Sequence, residues 1–183
     1  VVALSADYTI FPNGTAYRAS LDINDTERYT FADKGFMGED IPLAIRDVQL
    51  TRDGQPAPFN WSRPWGAPSS ISYPKGNYSV TFIAPLRDND LNAVFTKSYN
   101  VSVQLPQNFS VSNPLLAGLS NGANVTRNPD NSTRIQWTKT YTFELRFYSQ
   151  GQQDILFFFL QFMAILIVVL VVIPYVLSMK KDD

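Results

Sequence analysis

The sequence predicts an all-β domain, a β-sandwich of immunoglobulin-like or similar kind, followed by a single C-terminal transmembrane α-helix. Three observations carry this reading. Apolar and polar residues alternate in short segments, turn dipeptides separate those segments, and an uncharged apolar run lies near the end of the 183-residue chain. The expected boundaries are an extracytoplasmic β-sandwich over 1–148, a short juxtamembrane linker over 149–154, a membrane helix over 155–179 and a cytoplasmic tail over 180–183. The residues ahead of the helix are enough for one domain with its own core. Its 13 Phe, 9 Tyr and 3 Trp supply the apolar volume.

The strands follow in order. Tyr17, Ala19, Leu21 and Ile23 alternate with Arg18, Ser20 and Asp22. Successive side chains of a strand point to opposite faces, so this pattern predicts a half-buried strand. A strand over 48–52 leads into Asp53-Gly54, a tight-turn dipeptide. Segments 71–73 and 78–84 flank Pro74-Lys75-Gly76-Asn77, which predicts a hairpin. Residues 93–105 form one long strand or two, with Tyr99, Val101, Val103 and Leu105 on one face. Residues 114–118 suit a short helical turn. Asn128-Pro129-Asp130-Asn131 turns the chain into a strand over 133–138, after which Tyr141, Phe143, Leu145 and Phe147 alternate with polar neighbours. No stretch of 1–150 has a convincing helical period.

Residues 155–179 contain no charged side chain. At 1.5 Å per residue this run spans roughly 37 Å, enough to cross a ~30 Å hydrocarbon core with some tilt. Asp154 flanks one end, and Lys180 and Lys181 flank the other. The positive-inside rule then puts residues 1–154 outside and the C-terminus in the cytoplasm. Phe157, Phe158, Phe159 and Phe162 crowd the outer half, and Tyr175 sits near the inner interface. Gln161 interrupts the run. Its amide either bonds its own backbone and the interface or pairs with a neighbouring helix, which makes Gln161 the candidate helix-partner contact. Pro174 is expected to bend the last turns. A chain that starts at Val1 fits removal of a leader.

The asparagines point the same way. Of 13 Asn, eight begin an Asn-x-Ser/Thr triplet: Asn13, Asn24, Asn60, Asn77, Asn100, Asn108, Asn124 and Asn131. Composition alone would give roughly two. All eight fall on the side of the membrane that the charge argument calls external, so they are the candidate glycosylation sites. Asn77 and Asn100 take polar-face positions of their strands. Asn13, Asn60 and Asn131 lie in turn-like stretches.

Composition removes several function classes. The chain has no Cys and no His. Disulfides, thiolate nucleophiles, Cys/His zinc sites and a Ser-His-Asp triad are therefore impossible. Net charge is −1, without the basic stripe that a nucleic-acid partner requires. Asp88-Asn89-Asp90-Leu91-Asn92 resembles the start of a calcium loop, but Ala93 and Tyr99 occupy the positions that need Gly and a bidentate Glu. The acids are scattered, with no spacing that singles out a catalytic pair. The sequence thus predicts no enzyme, no metal and no cofactor. Trp61, Arg63 and Trp65 form the candidate binding cluster. Aromatics beside Arg suit a protein or sugar contact, and they equally suit a cap on one end of the core.

A run in the C-terminal half carries a family resemblance. It comprises Val101-Ser-Val-Gln-Leu-Pro106, Asn113-Pro-Leu-Leu-Ala-Gly118, Ile135-Gln-Trp137 and Glu144-Leu-Arg-Phe-Tyr148, followed by the membrane helix. Over about residues 75–180 it resembles an uncharacterised archaeal family of envelope proteins, found in methanogens and haloarchaea, with a β-rich ectodomain and one C-terminal helix. The resemblance implies an archaeal cell surface and brings no catalytic or binding residues with it. The expectation is a non-enzymatic, membrane-anchored envelope glycoprotein, an accessory or structural subunit whose partners are the lipid bilayer and other membrane or envelope proteins. The alternative is an extracellular binding module for carbohydrate or protein ligands.

Overall fold

The computed structural model describes residues 3–35 and 37–179, so Lys180, Lys181 and the rest of the expected tail lie outside the described residues. Thirteen strands precede a long helix. They are β1 (Leu4–Ile10), β2 (Ala16–Lys34), β3 (Asp40–Pro42), β4 (Arg46–Arg52), β5 (Gln55–Pro56), β6 (Asn60–Ser62), β7 (Ser69–Pro85), β8 (Asp90–Leu105), β9 (Phe109–Ser110), β10 (Gly118–Leu119), β11 (Asn124–Arg127), β12 (Thr133–Arg146) and β13 (Tyr148–Ser149). The helix is α1 (Gln150–Ile167), a π-helical turn (Val168–Val172) and α2 (Ile173–Met179). The fold is a β-domain followed by a single helix, as the alternation and the apolar run predict.

Eleven strands belong to one continuous sheet that folds over itself. β1 lies at its centre, antiparallel to β2 and parallel to β8. The long strands β2, β7, β8 and β12 do not stop at the edge of the first layer. The β2–β7 register shifts between Ile23 and Arg28, and the β12–β8 register shifts between Trp137 and Thr142. Asp25 and Lys139 take left-handed φ of 57° and 51° at these shifts. Beyond the shifts the same strands run on as a second layer. Trp137 and Phe143 are six residues apart in β12, which in an extended strand is ~20 Å. Their rings are 5.1 Å apart, so the strand has turned back on itself. Phe95 and Tyr99 of β8 stack at 4.5 Å in the same way.

The two layers meet through aromatic rings. Phe31 packs edge-on against Phe82 at 5.1 Å, and Tyr8 meets Phe143 at 5.1 Å. Around them lie Leu21, Val80, Val101, Val103, Ile135 and Leu145, all buried. Tyr99, Val101, Val103 and Leu105 share the inward face, as their alternation predicts.

Asp53-Gly54 does form the tight turn of a hairpin: Arg52 pairs with Gln55, and both turn residues have positive φ. Pro74 to Asn77, by contrast, is not a hairpin loop. β7 runs through it unbroken, because both halves of β7 pair with β2 and the two strands bend together. The expected linker over 149–154 is not extended either. The helix starts at Gln150, where Gln152 Oε1 accepts the Ser149 N–H at 2.9 Å and caps the first turn.

The helical stretch Gln150–Met179 is 30 residues long, and none of its side chains is buried against the β-domain. It is long and apolar enough to cross a membrane. Pro174 marks the irregularity. A proline has no N–H to offer the carbonyl four residues back, and the preceding turn widens so that Ile173 N–H reaches the Val168 carbonyl.

Candidate functional site

In the first layer β1 fills the space between β2 and β8. It ends at Leu4, whereas β2 and β8 continue past the bends. In the second layer no strand among the described residues pairs between their continuations, 26–34 and 92–97. The result is a crevice of about 350 Å³ with these two strands as walls and Tyr8, Tyr17, Leu21 and Phe82 as its floor. Lys97 spans one end, donating from Nζ to the Asn24 carbonyl at 2.7 Å, a backbone acceptor at the end of an open strand edge.

Tyrosines line this crevice. Tyr99 donates its hydroxyl to the Asp22 carbonyl at 2.6 Å. The hydroxyls of Tyr8, Tyr17 and Tyr29 have no such partner among the described residues. Burial pushes the Tyr99 hydroxyl up to about 12, with the Asp22 carboxylate adding to it. Burial raises Tyr8, Tyr17 and Tyr29 as well, and for Tyr17 the Asp33 carboxylate adds to the effect. All four are therefore neutral hydroxyls at physiological pH and offer hydrogen bonds, not proton abstraction. Chemically the crevice presents aromatic faces and neutral hydroxyls.

These shifts fix a pH dependence. Each hydroxyl is harder to ionise folded than unfolded, so the stabilisation is complete below the unfolded value near 10 and is lost as pH rises through the folded value. Thermal midpoints are expected to stay flat up to about pH 9.5 and fall steeply above 10. Ultraviolet titration of tyrosinate should show these four hydroxyls ionising only as the domain opens. Ionisation of these four at the ordinary tyrosine value in a still-folded domain would contradict the burial argument.

The candidate binding cluster does not converge on one site. Trp61 sits on the outer strand β6, against Phe59 at 5.6 Å and Phe31 at 6.0 Å. Arg63 stacks over the Trp61 ring at 4.3 Å. Trp65 stands apart, fully exposed at the tip of the following loop. Trp61 and Arg63 thus extend the core outward while Trp65 touches nothing.

Seven of the eight triplet asparagines are exposed, and Asn24 is half-buried. Three have side-chain carbonyls engaged: Asn13 accepts the Thr15 N–H, Asn77 the Asp25 N–H and Asn100 the Lys139 N–H. An attached glycan leaves that oxygen free to accept. Asn108 instead donates its amide to the Pro12 carbonyl at 2.7 Å. Gln161 is exposed on α1. The Asp88–Asn92 segment is a brace at the helix root. Asp88 and Asn89 take left-handed φ, the Asn89 carbonyl accepts the Phe147 N–H, and Asn89 Nδ2 donates to Gln152 Oε1. Among the described residues no group of acids is placed to hold a metal ion.

Fold and site together define a β-domain protein with one apolar C-terminal helix and a tyrosine-lined crevice. The chain belongs to a family of unknown function (DUF5803), whose family model matches residues 66–181. No curated protein matches it. The matched segment begins in the loop before β7, so β1 and β2, which supply much of the crevice, lie outside it. Sequence reasoning missed the crevice for a physical reason: nothing in the sequence links Tyr8 to Tyr29, and only the bends bring them into one lining.

Proposed function

We propose that this chain is a non-enzymatic, membrane-anchored glycoprotein of an archaeal cell envelope, serving as an accessory or structural subunit of a larger membrane or surface assembly. Residues 1–154 face outward and the C-terminus lies in the cytoplasm. The observation that carries the reading is the stiff joint between domain and helix. β13 pairs with β9, the Tyr148 hydroxyl accepts the Asn113 N–H and shares a hydrogen bond with the Ser112 hydroxyl, both at 3.0 Å, and Gln152 joins the helix to Ser149 and Asn89. A fixed orientation over the bilayer serves a subunit packed against neighbours. The eight glycosylation triplets and the charge asymmetry at the helix ends support the external side.

Purification in mild detergent tests this. A stable co-purifying partner is expected, and an isolated monomer would count against the subunit reading. Gln161→Leu should weaken that complex by roughly 1 kcal/mol, about fivefold in affinity, without harming insertion. Intact mass should exceed 20.6 kDa by discrete glycan increments. Asn77→Gln should remove one increment and keep the fold, because Asn77 is exposed. A mass equal to the bare chain would refute glycosylation.

The crevice favours a second reading, an extracellular binding module for carbohydrate or protein ligands. That reading expects a monomer that is protected by a bound ligand at the tyrosine slot.

A further inference from the structure

The strands fold over at one end of the domain, at 23–26, 73–78, 95–99 and 137–140, so their free ends collect at the other. β12 leaves the domain from this second end, and the helix follows within four residues. With 155–179 in a bilayer, this end faces the lipid.

Among the described residues of the β-domain, the three most exposed large apolar side chains are Trp65 at 100%, Met37 at 89% and Leu115 at 74%. They occupy three separate loops, and the strand register brings all three to the helix end. Met37 lies in the loop that follows the Lys34–Asp40 pair. Trp65 lies in the loop beyond the Ser62–Ser70 pair. Leu115 lies just before Gly118, which pairs with Arg146, and the neighbouring Asn113 is bonded to Tyr148 at the helix root. All three belong to the second layer, the layer from which the helix departs. The triplet asparagines at this end, Asn13, Asn108 and Asn131, sit instead where first-layer strands terminate.

The heights also agree. Residues 150–154 raise the domain roughly 7 Å above the first apolar residue of the helix. The headgroup zone of one leaflet is roughly 5–7 Å deep. Side chains projecting from this end therefore enter the boundary where Trp is enriched in membrane proteins.

We propose that Trp65, Met37 and Leu115 form a second membrane contact, seating the second layer on the surface of the bilayer that its own helix crosses. This rests on the reading of 155–179 as membrane-spanning. A domain held by both its helix and this rim keeps one tilt, with the bend end of the sandwich turned outward.

Because the chain has no Cys, single substitutions carry a unique label. Met37→Cys, Trp65→Cys and Leu115→Cys, with Lys75→Cys at the bend end as control, would each be labelled with an environment-sensitive fluorophore. The full chain would be placed in phosphatidylcholine nanodiscs. Blue-shifted emission, quenched by lipids brominated near the headgroup, is expected at 37, 65 and 115 and absent at 75. If all four labels report water while a helix fragment stays protected from protease, the rim contact is wrong and the anchor stands. If no fragment is protected, the anchor reading fails and the rim contact falls with it.

Discussion

Deleting residues 1–10 is expected to unfold the β-domain completely. β1 is seven residues long, yet it sits between β2 and β8 and pairs along its length with both. Its inward residues Leu4, Ala6, Tyr8 and Ile10 are all buried. Burying Leu4, Tyr8 and Ile10 alone is worth about 1.5–3 kcal/mol each, and the deletion also strips backbone partners from two central strands. The sum approaches the whole 5–15 kcal/mol by which a domain is ordinarily stable. Two open edges facing each other across the first layer would also invite aggregation. Circular dichroism and limited proteolysis of the truncated chain in detergent should show no cooperative melt and rapid cleavage in 16–146. A retained sharp transition would mean that β2 and β8 can close on each other without β1. The same reasoning applies to the family-matched segment 66–181, which lacks both β1 and β2 and should not fold alone.

How much of this was legible in the sequence depends on the range of the interaction that decides each feature. The inward faces of 17–23 and 99–105 were legible because a period of two reports burial directly. Asp53-Gly54 was legible because a tight turn needs two residues at positive φ. The bends in β2 and β7 were not. Pro74, Gly76 and Asn77 carry the composition of a turn, but whether the chain reverses there depends on what β2 does opposite it, more than forty residues away. The helix start at Gln150 was masked by polarity. Gln150-Gly151-Gln152-Gln153-Asp154 has no apolar period, and the turn forms through capping and contact with Asn89. The geometry of the aromatic cluster was not legible for a related reason. Trp61 and Trp65 are four residues apart, but one is the middle residue of β6 and the other tips a loop.

Phe143→Ala is expected to destabilise the domain by about 4 kcal/mol, a lowering of the thermal midpoint on the order of 10 °C. Phe143 is fully buried in the second layer. Its ring lies 5.1 Å from Tyr8 of β1, 5.1 Å from Trp137 in the other half of its own strand, and 6.2 Å from Phe95 of β8. It is therefore the side chain through which three first-layer and second-layer segments interlock. Removing it leaves a cavity that neighbours on stiff strands cannot collapse to fill. Tyr141 is the internal control. It lies two residues earlier in the same strand and is 59% exposed, because the irregular register between Thr140 and Thr142 takes it off the inward face. Tyr141→Ala should change stability by no more than about 0.5 kcal/mol. Denaturant midpoints of the two variants, at unchanged slope, would read the difference. The cavity would also adjoin Tyr8, so the alkaline transition should begin at lower pH in Phe143→Ala, as water reaches a hydroxyl that burial now keeps neutral. Equal stability for the two variants would mean that the layers are held by their strand continuations and not by the aromatic packing between them.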